Sequence, residues 1–169
     1  PMHDGHISMI QTAINALQED YTVIGVYVSP GHDEYVLTKN GTDIFTTEDR
    51  LQLAGDLIQK HNKDWMVDPW ESFYAGFALN FTEGLQRLKH YLSFHLKQDI
   101  NVAFCFGADN AGFTHVLKGI PHVCVSRKKG TMPMQDKGIF ATHELEDISS
   151  TQVRLNMSSK DITKKNISI

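Results

Sequence analysis

From His6 to Leu17 the apolar residues Ile7, Ile10, Ala13, Ile14 and Leu17 recur every three or four positions, which predicts a helix with one buried face. Thr22 to Val28 is β-branched and continuous, the pattern of a strand covered on both faces in a parallel sheet. Ser29 to Thr47 is polar and carries Pro30, Gly31, Asn40 and Gly41, so a long working loop is expected there. Thr47 to Asn62 opens on a Thr-Glu-Asp cap signal and keeps Leu51, Ala54, Leu57 and Ile58 on one face, predicting a second helix. Trp65 to Val67 reads as a short strand, Ser72 to Gln98 as a long helix, and Asn101 to Phe106 as a buried strand ending in Gly107. A short helix over Asn110 to Lys118, a strand over His122 to Ser126, a weaker strand pattern near Ile139 to Thr142 and a helix after Ser149 complete the alternation. It predicts an α/β fold whose mostly parallel sheet is flanked by helices. Ligands bind such sheets beyond the carboxyl ends of the strands, which here carry Ser29-Pro30, Asp68-Pro69-Trp70-Glu71, Gly107-Ala108-Asp109 and Ser126-Arg127.

A chain of 169 residues with 41% hydrophobic content is enough for one domain with a proper core, so residues 1–169 are expected to be a single unit. No internal repeat or linker divides it, and only Ser158 to Ile169 is polar enough to fray. The net charge of -4 argues against a general nucleic-acid binder, although Arg127, Lys128 and Lys129 form a basic cluster that either meets a phosphate or is simply solvated surface. No apolar run is long enough to span a bilayer and no signal peptide opens the sequence, so a soluble intracellular protein, cytoplasmic or nuclear and without a membrane partner, is expected. Cys105 and Cys124 sit in apolar, strand-like stretches and are expected to be buried reduced thiols.

Two motifs carry chemistry. His3-Asp4-Gly5-His6 and Ile148 to Arg154 each bring phosphate ligands to the start of a helix, where free N–H groups already favour anions. His3 and His6 can reach one triphosphate from a first helical turn, and imidazole N–H groups can follow charge as it builds on a phosphate. The same spacing suits a metal pair, and His32-Asp33-Glu34 keeps that alternative open. His61, His90, His95, His115, His122 and His143 show no ligand spacing and read as surface or packing residues. Ser149, Ser150 and Thr151 would by themselves be an ordinary helix cap, but Arg154 one turn on adds charge-assisted bonds to phosphate oxygens. Gly107 would let backbone approach a nucleotide and Asp109 could accept from ribose hydroxyls. Trp70 beside Glu71 offers a stacking face next to a carboxylate, suited to a cationic ring, although tryptophan more often only packs.

In these residues the chain resembles the nicotinamide/nicotinate mononucleotide adenylyltransferases, which have a Rossmann-like nucleotidyltransferase fold. The likeness runs through Pro1 to His6 (Pro-x-His/Thr-x-x-His), Ser29-Pro30 to Tyr35, Val67 to Ser72 (Val-Asp-Pro-Trp-Glu-Ser), Phe106 to Asp109 (Gly-Ala-Asp), Val123 to Arg127 and Ile148 to Arg154, in order and over nearly the whole chain. It implies catalytic roles for His3, His6 and Arg154, ATP contacts from Gly107, Asp109, Ser150, Thr151 and Arg154, and mononucleotide contacts from Ser29, Lys39, Trp70 and Glu71. It further implies ATP and nicotinamide or nicotinate mononucleotide as substrates, Mg2+ carried on the ATP phosphates, NAD or its deamido form as product, and a possible homo-oligomer.

Three departures stand out. The loop after Tyr35 is longer than in the family, no second tryptophan lies between Phe113 and Ile120, and the family's Gly-x-Phe strand would fall before Pro1. The resemblance therefore implies a strand preceding Pro1 beside the others. Pantetheine-phosphate adenylyltransferases and cytidylyltransferases resemble the end motifs, but their partner-substrate sequences are not found in this chain, whereas Trp70-Glu71 suits the nicotinamide family. An impaired nucleotide-binding protein is the alternative of a different class.

Overall fold

The structure is a computed structural model that describes residues 2–41, 45–126 and 138–142. Parallel strands flanked by helices give the α/β class that the alternation predicts, Rossmann-like as the resemblance implies. Helix α1, Asp4–Leu17, leads to strand β1, Tyr27–Val28, then helices α2, Asp33–Asn40, and α3, Thr47–Lys60, and strand β2, Met66–Val67. A single wide turn of helix over Trp70–Tyr74 precedes α4, Phe81–Leu96. Strand β3, Phe104–Gly107, a narrow helix α5 over Ala108–Leu117, strand β4, His122–Ser126, and strand β5, Gly138–Thr142, follow.

Among the described residues the strands form two parallel groups, β1 with β2 and β3-β4-β5 in that order. Val28 stands opposite Val67, Phe106 opposite Cys124, and Cys124 opposite Phe140. The second group holds the core. On one face Ala13, Met9 and Leu17 of α1 pack on Val123, Val125, Ile139 and Ala141. On the other, Phe106 and Cys124 meet Leu117 and Ala111 of α5 and Phe81 of α4. Covering on both sides explains why Val123, Cys124 and Val125 are apolar at consecutive positions in β4. Both cysteines are free thiols, and burial, with Cys124 adjacent, pushes Cys105 up to about 12, which keeps it protonated and inert.

Four expectations change, the first being that the strand expected over Asn101 to Phe106 begins only at Phe104 and runs to Gly107. The run Thr22 to Val28 becomes a strand only at Tyr27 and Val28, and Ile24 is 64% exposed. A strand exists through its partner, and the two-residue β2 supports no longer ladder. The polar stretch Ser29 to Thr47 is not all loop, since α2 occupies its middle, capped by His32, whose Nδ1 accepts the Glu34 N–H at 3.2 Å. The long helix expected over Ser72 to Gln98 is divided between the wide turn and α4, with Gly76 at φ 75 in the break, a conformation that other residues adopt only under strain. Asn80 then caps α4 reciprocally with Glu83. The helix expected after Ser149 lies outside the described residues.

Candidate active site

The start of α1 is closed by its own histidines. His3 is the cap residue, and its backbone N–H donates to Nδ1 of His6 at 3.2 Å. With Nδ1 accepting, a neutral His6 ring carries its proton on Nε2. The two rings lie 4.0 Å apart, with His3 buried. Asp4, between them in sequence, accepts from His61 at the end of α3 at 2.6 Å and pairs with Lys60 at 3.4 Å. The His61 bond holds the Asp4 carboxyl below its usual value and ties the helix start to α3.

Helix α1 runs beside the end of β3, its second turn meeting Gly107 through Met9. A Cβ on Gly107 would lie 3.8 Å from Met9 Sδ and 2.5 Å from Asp109 Oδ1, so only glycine leaves room for the Asp109 carboxylate where it stands. The structure thus brings His3 and His6 onto the element that flanks Gly107 and Asp109.

Ser29, Trp70 and Glu71 follow the ends of β1 and β2, whereas Lys39 stands at the far end of α2. Ser29 is exposed directly after β1, and Lys39 is exposed in the last turn of α2. Glu71 lies in the wide turn after β2, accepts the backbone N–H of His32 and sits against Gly31, where an added Cβ would be 3.6 Å from its Oε1. Burial raises the Glu71 carboxyl above its usual value despite the His32 bond. Trp70 follows an Asx turn in which its N–H donates to Asp68 Oδ1 at 3.1 Å. The Arg87 guanidinium from α4 lies over the Trp70 ring at 4.6 Å and pairs with Asp68 Oδ2.

This corner rests on a residue that the hydrophobic pattern passes over. Arg50 is only 7% exposed, on the inner face of α3 with Ala54 and Ile58. It donates to the carbonyls of Phe45 at 2.6 Å and Gly31 at 2.8 Å and to Thr47 Oγ1 at 3.2 Å, and it pairs with Asp33 at 2.7 Å. Thr47 in turn donates to Asp33 at 2.8 Å. Burial works to raise the Asp33 carboxyl, but the Thr47 and Arg50 bonds outweigh it and leave it below its usual value. An arginine at a core-facing helical position, four residues before Ala54, is the signal that marks Arg50 in the sequence. Asp68 and Arg87 carry no such signal.

His32, Asp33 and Glu34 do not converge. The first caps α2, the second pairs with Arg50, and the third accepts the Ala78 N–H at 2.9 Å. Among the described residues no three His, Cys, Asp or Glu side chains are grouped to hold a metal ion. No described helix is long and apolar enough to cross a membrane. Ser150, Thr151 and Arg154, with the basic cluster Arg127 to Lys129, lie outside the described residues.

No curated protein matches the chain. Residues 1–156 match the cytidylyltransferase-like family, and with parallel strands, a histidine-capped helix and a polar corner at the strand ends, the chain belongs to this family of nucleotidyltransferases.

Proposed function

We propose that the protein transfers AMP from ATP to nicotinamide or nicotinate mononucleotide, forming NAD or deamido-NAD and pyrophosphate. The observation that carries this reading is the corner after β2, where an indole held against Arg87 is followed in the chain by a partly buried carboxylate, Glu71. A flat face beside a carboxylate suits a cationic pyridine ring.

The mononucleotide phosphate is already anionic and needs no general base. Its oxygen forms the new bond to the α-phosphorus in line as the bond to the bridging oxygen breaks, and pyrophosphate leaves with that electron pair. His3, His6 and the positive end of the α1 dipole meet the charge that accumulates on these oxygens. Gly107 and Asp109 take the adenosine half, Ser150, Thr151 and Arg154 the triphosphate, and Ser29, Lys39, Trp70 and Glu71 the mononucleotide. The donors at the helix start are imidazoles and amides, which suit phosphate oxygens rather than Mg2+. A magnesium ion would therefore arrive on the ATP phosphates and neutralise charge there.

The test is a substrate panel on the purified protein, with products separated by chromatography. ATP with either mononucleotide should yield NAD or deamido-NAD. Turnover only with phosphopantetheine, or only with CTP and a phosphorylated alcohol, would move the protein to another branch of the family. ATP binding without any product would make it an impaired binder.

A further inference from the structure

We propose that Asp68, Arg87 and Trp70 form a closed clamp that presents the indole, and that Arg87 is a positioning residue for recognition of the mononucleotide ring. The inference rests on the proposed function for its substrate. Its geometry stands independently.

One carboxylate fixes Trp70 by two routes. Asp68 Oδ1 accepts the Trp70 backbone N–H at 3.1 Å, which sets the start of the wide turn. Asp68 Oδ2 takes the Arg87 guanidinium, and that guanidinium lies over the indole at 4.6 Å. Backbone and ring are therefore held by the same anchor. Tyr91, one turn further along α4, stands 6.0 Å from the guanidinium. The Arg87 Nε is buried with no hydrogen-bond partner among the described residues. With Asp68 its sole salt-bridge partner among the described residues, the cation depends on that carboxylate and the aromatic rings.

The arrangement has a consequence for binding. A stacking residue contributes most when its rotamer is settled before the ligand arrives, because the ordering cost then falls on the free protein. Lysine would keep the charge but not the planar face that lies over the indole. Methionine would cover the ring without charge and leave Asp68 without its cation. Arg87 acts on the ligand only through Trp70, and so its loss should be felt on the mononucleotide side alone.

The experiment uses a Trp65→Phe background, in which Trp70 is the only tryptophan and its fluorescence reports the clamp directly. Arg87→Met should increase acrylamide quenching of Trp70 and raise the mononucleotide KM by about tenfold, with the ATP KM changed less than about twofold. Arg87→Lys should fall between, which shows that a plane is needed and not only a charge. Unchanged quenching overturns the clamp, and so does a parallel rise in both KM values, which would mean general loosening. Quenching that increases in the variant of a protein that turns over no mononucleotide would sustain the clamp and sink the substrate assignment, so the two failures are distinguishable.

Discussion

The two halves of the candidate site are held by different forces. The half at the end of β3 stands on a sheet buried on both faces, where Val123, Cys124, Val125 and Leu117 are almost wholly inaccessible. Around β1 and β2 the ladder is two residues long, and Arg50, Asp33, Thr47, Asp68 and Arg87 set the geometry through hydrogen bonds and ion pairs. Apolar burial is non-directional and tolerates small shifts of neighbouring groups. A charged network is directional, so it fixes angles, and it fails abruptly when one member is lost. The nucleotide half is thus supported like a core and the ring-binding half like an interface.

His6→Ala should give the largest effect, a loss of about 3–4 kcal/mol of transition-state stabilisation, or some hundredfold to a thousandfold in turnover, with a native circular dichroism spectrum. Near-normal turnover would remove His6 from the chemistry. The two supports can then be set against each other by urea unfolding. Arg50→Met leaves the Gly31 and Phe45 carbonyls and Asp33 without their cation and should cost about 3 kcal/mol. Val123→Ala should cost about 2 kcal/mol from lost burial and a small cavity. Only the first should also raise the mononucleotide KM. Equal kinetic effects would mean that the two halves share one support.

Gly107→Ala and Trp70→Ala sharpen the comparison from the ligand side. The added methyl displaces the Asp109 carboxylate and should raise the ATP KM, while loss of the indole should raise the mononucleotide KM more than that for ATP. Steady-state kinetics with each substrate varied in turn checks both.

The smallest effects are in pH dependence. Asp33 has a lowered pKa in the folded protein, so it contributes stability above the ordinary aspartate value that is lost as pH falls through its folded value. Glu71 is raised, so the folded state holds its proton more firmly, and its contribution is present below the ordinary glutamate value and lost as pH rises through the folded one. Asp33→Asn should therefore flatten the acid loss of stability, and Glu71→Gln should flatten a loss at higher pH. Unfolding midpoints that respond alike in both variants would contradict the opposite signs.

What the sequence alone determined is what neighbours in the chain decide. Helix α1 is read from its three-to-four spacing and β4 from the consecutive apolar Val123, Cys124 and Val125 at its centre, because burial on one face or on both leaves its period in the composition. The motifs around His3, Trp70 and Gly107 were equally visible, since they are contiguous. Tertiary structure decided the rest. Thr22 to Gly25 had the composition of a strand but, among the described residues, no strand paired with them, and the helix expected over Ser72 to Gln98 breaks at residues where Gly76 takes a positive φ. Arg87 reached Trp70, and Arg50 reached Gly31, only when distant segments were brought together. A hydrogen bond or a stacked guanidinium leaves no periodic trace, because it depends on a single pair of atoms and not on a repeated face.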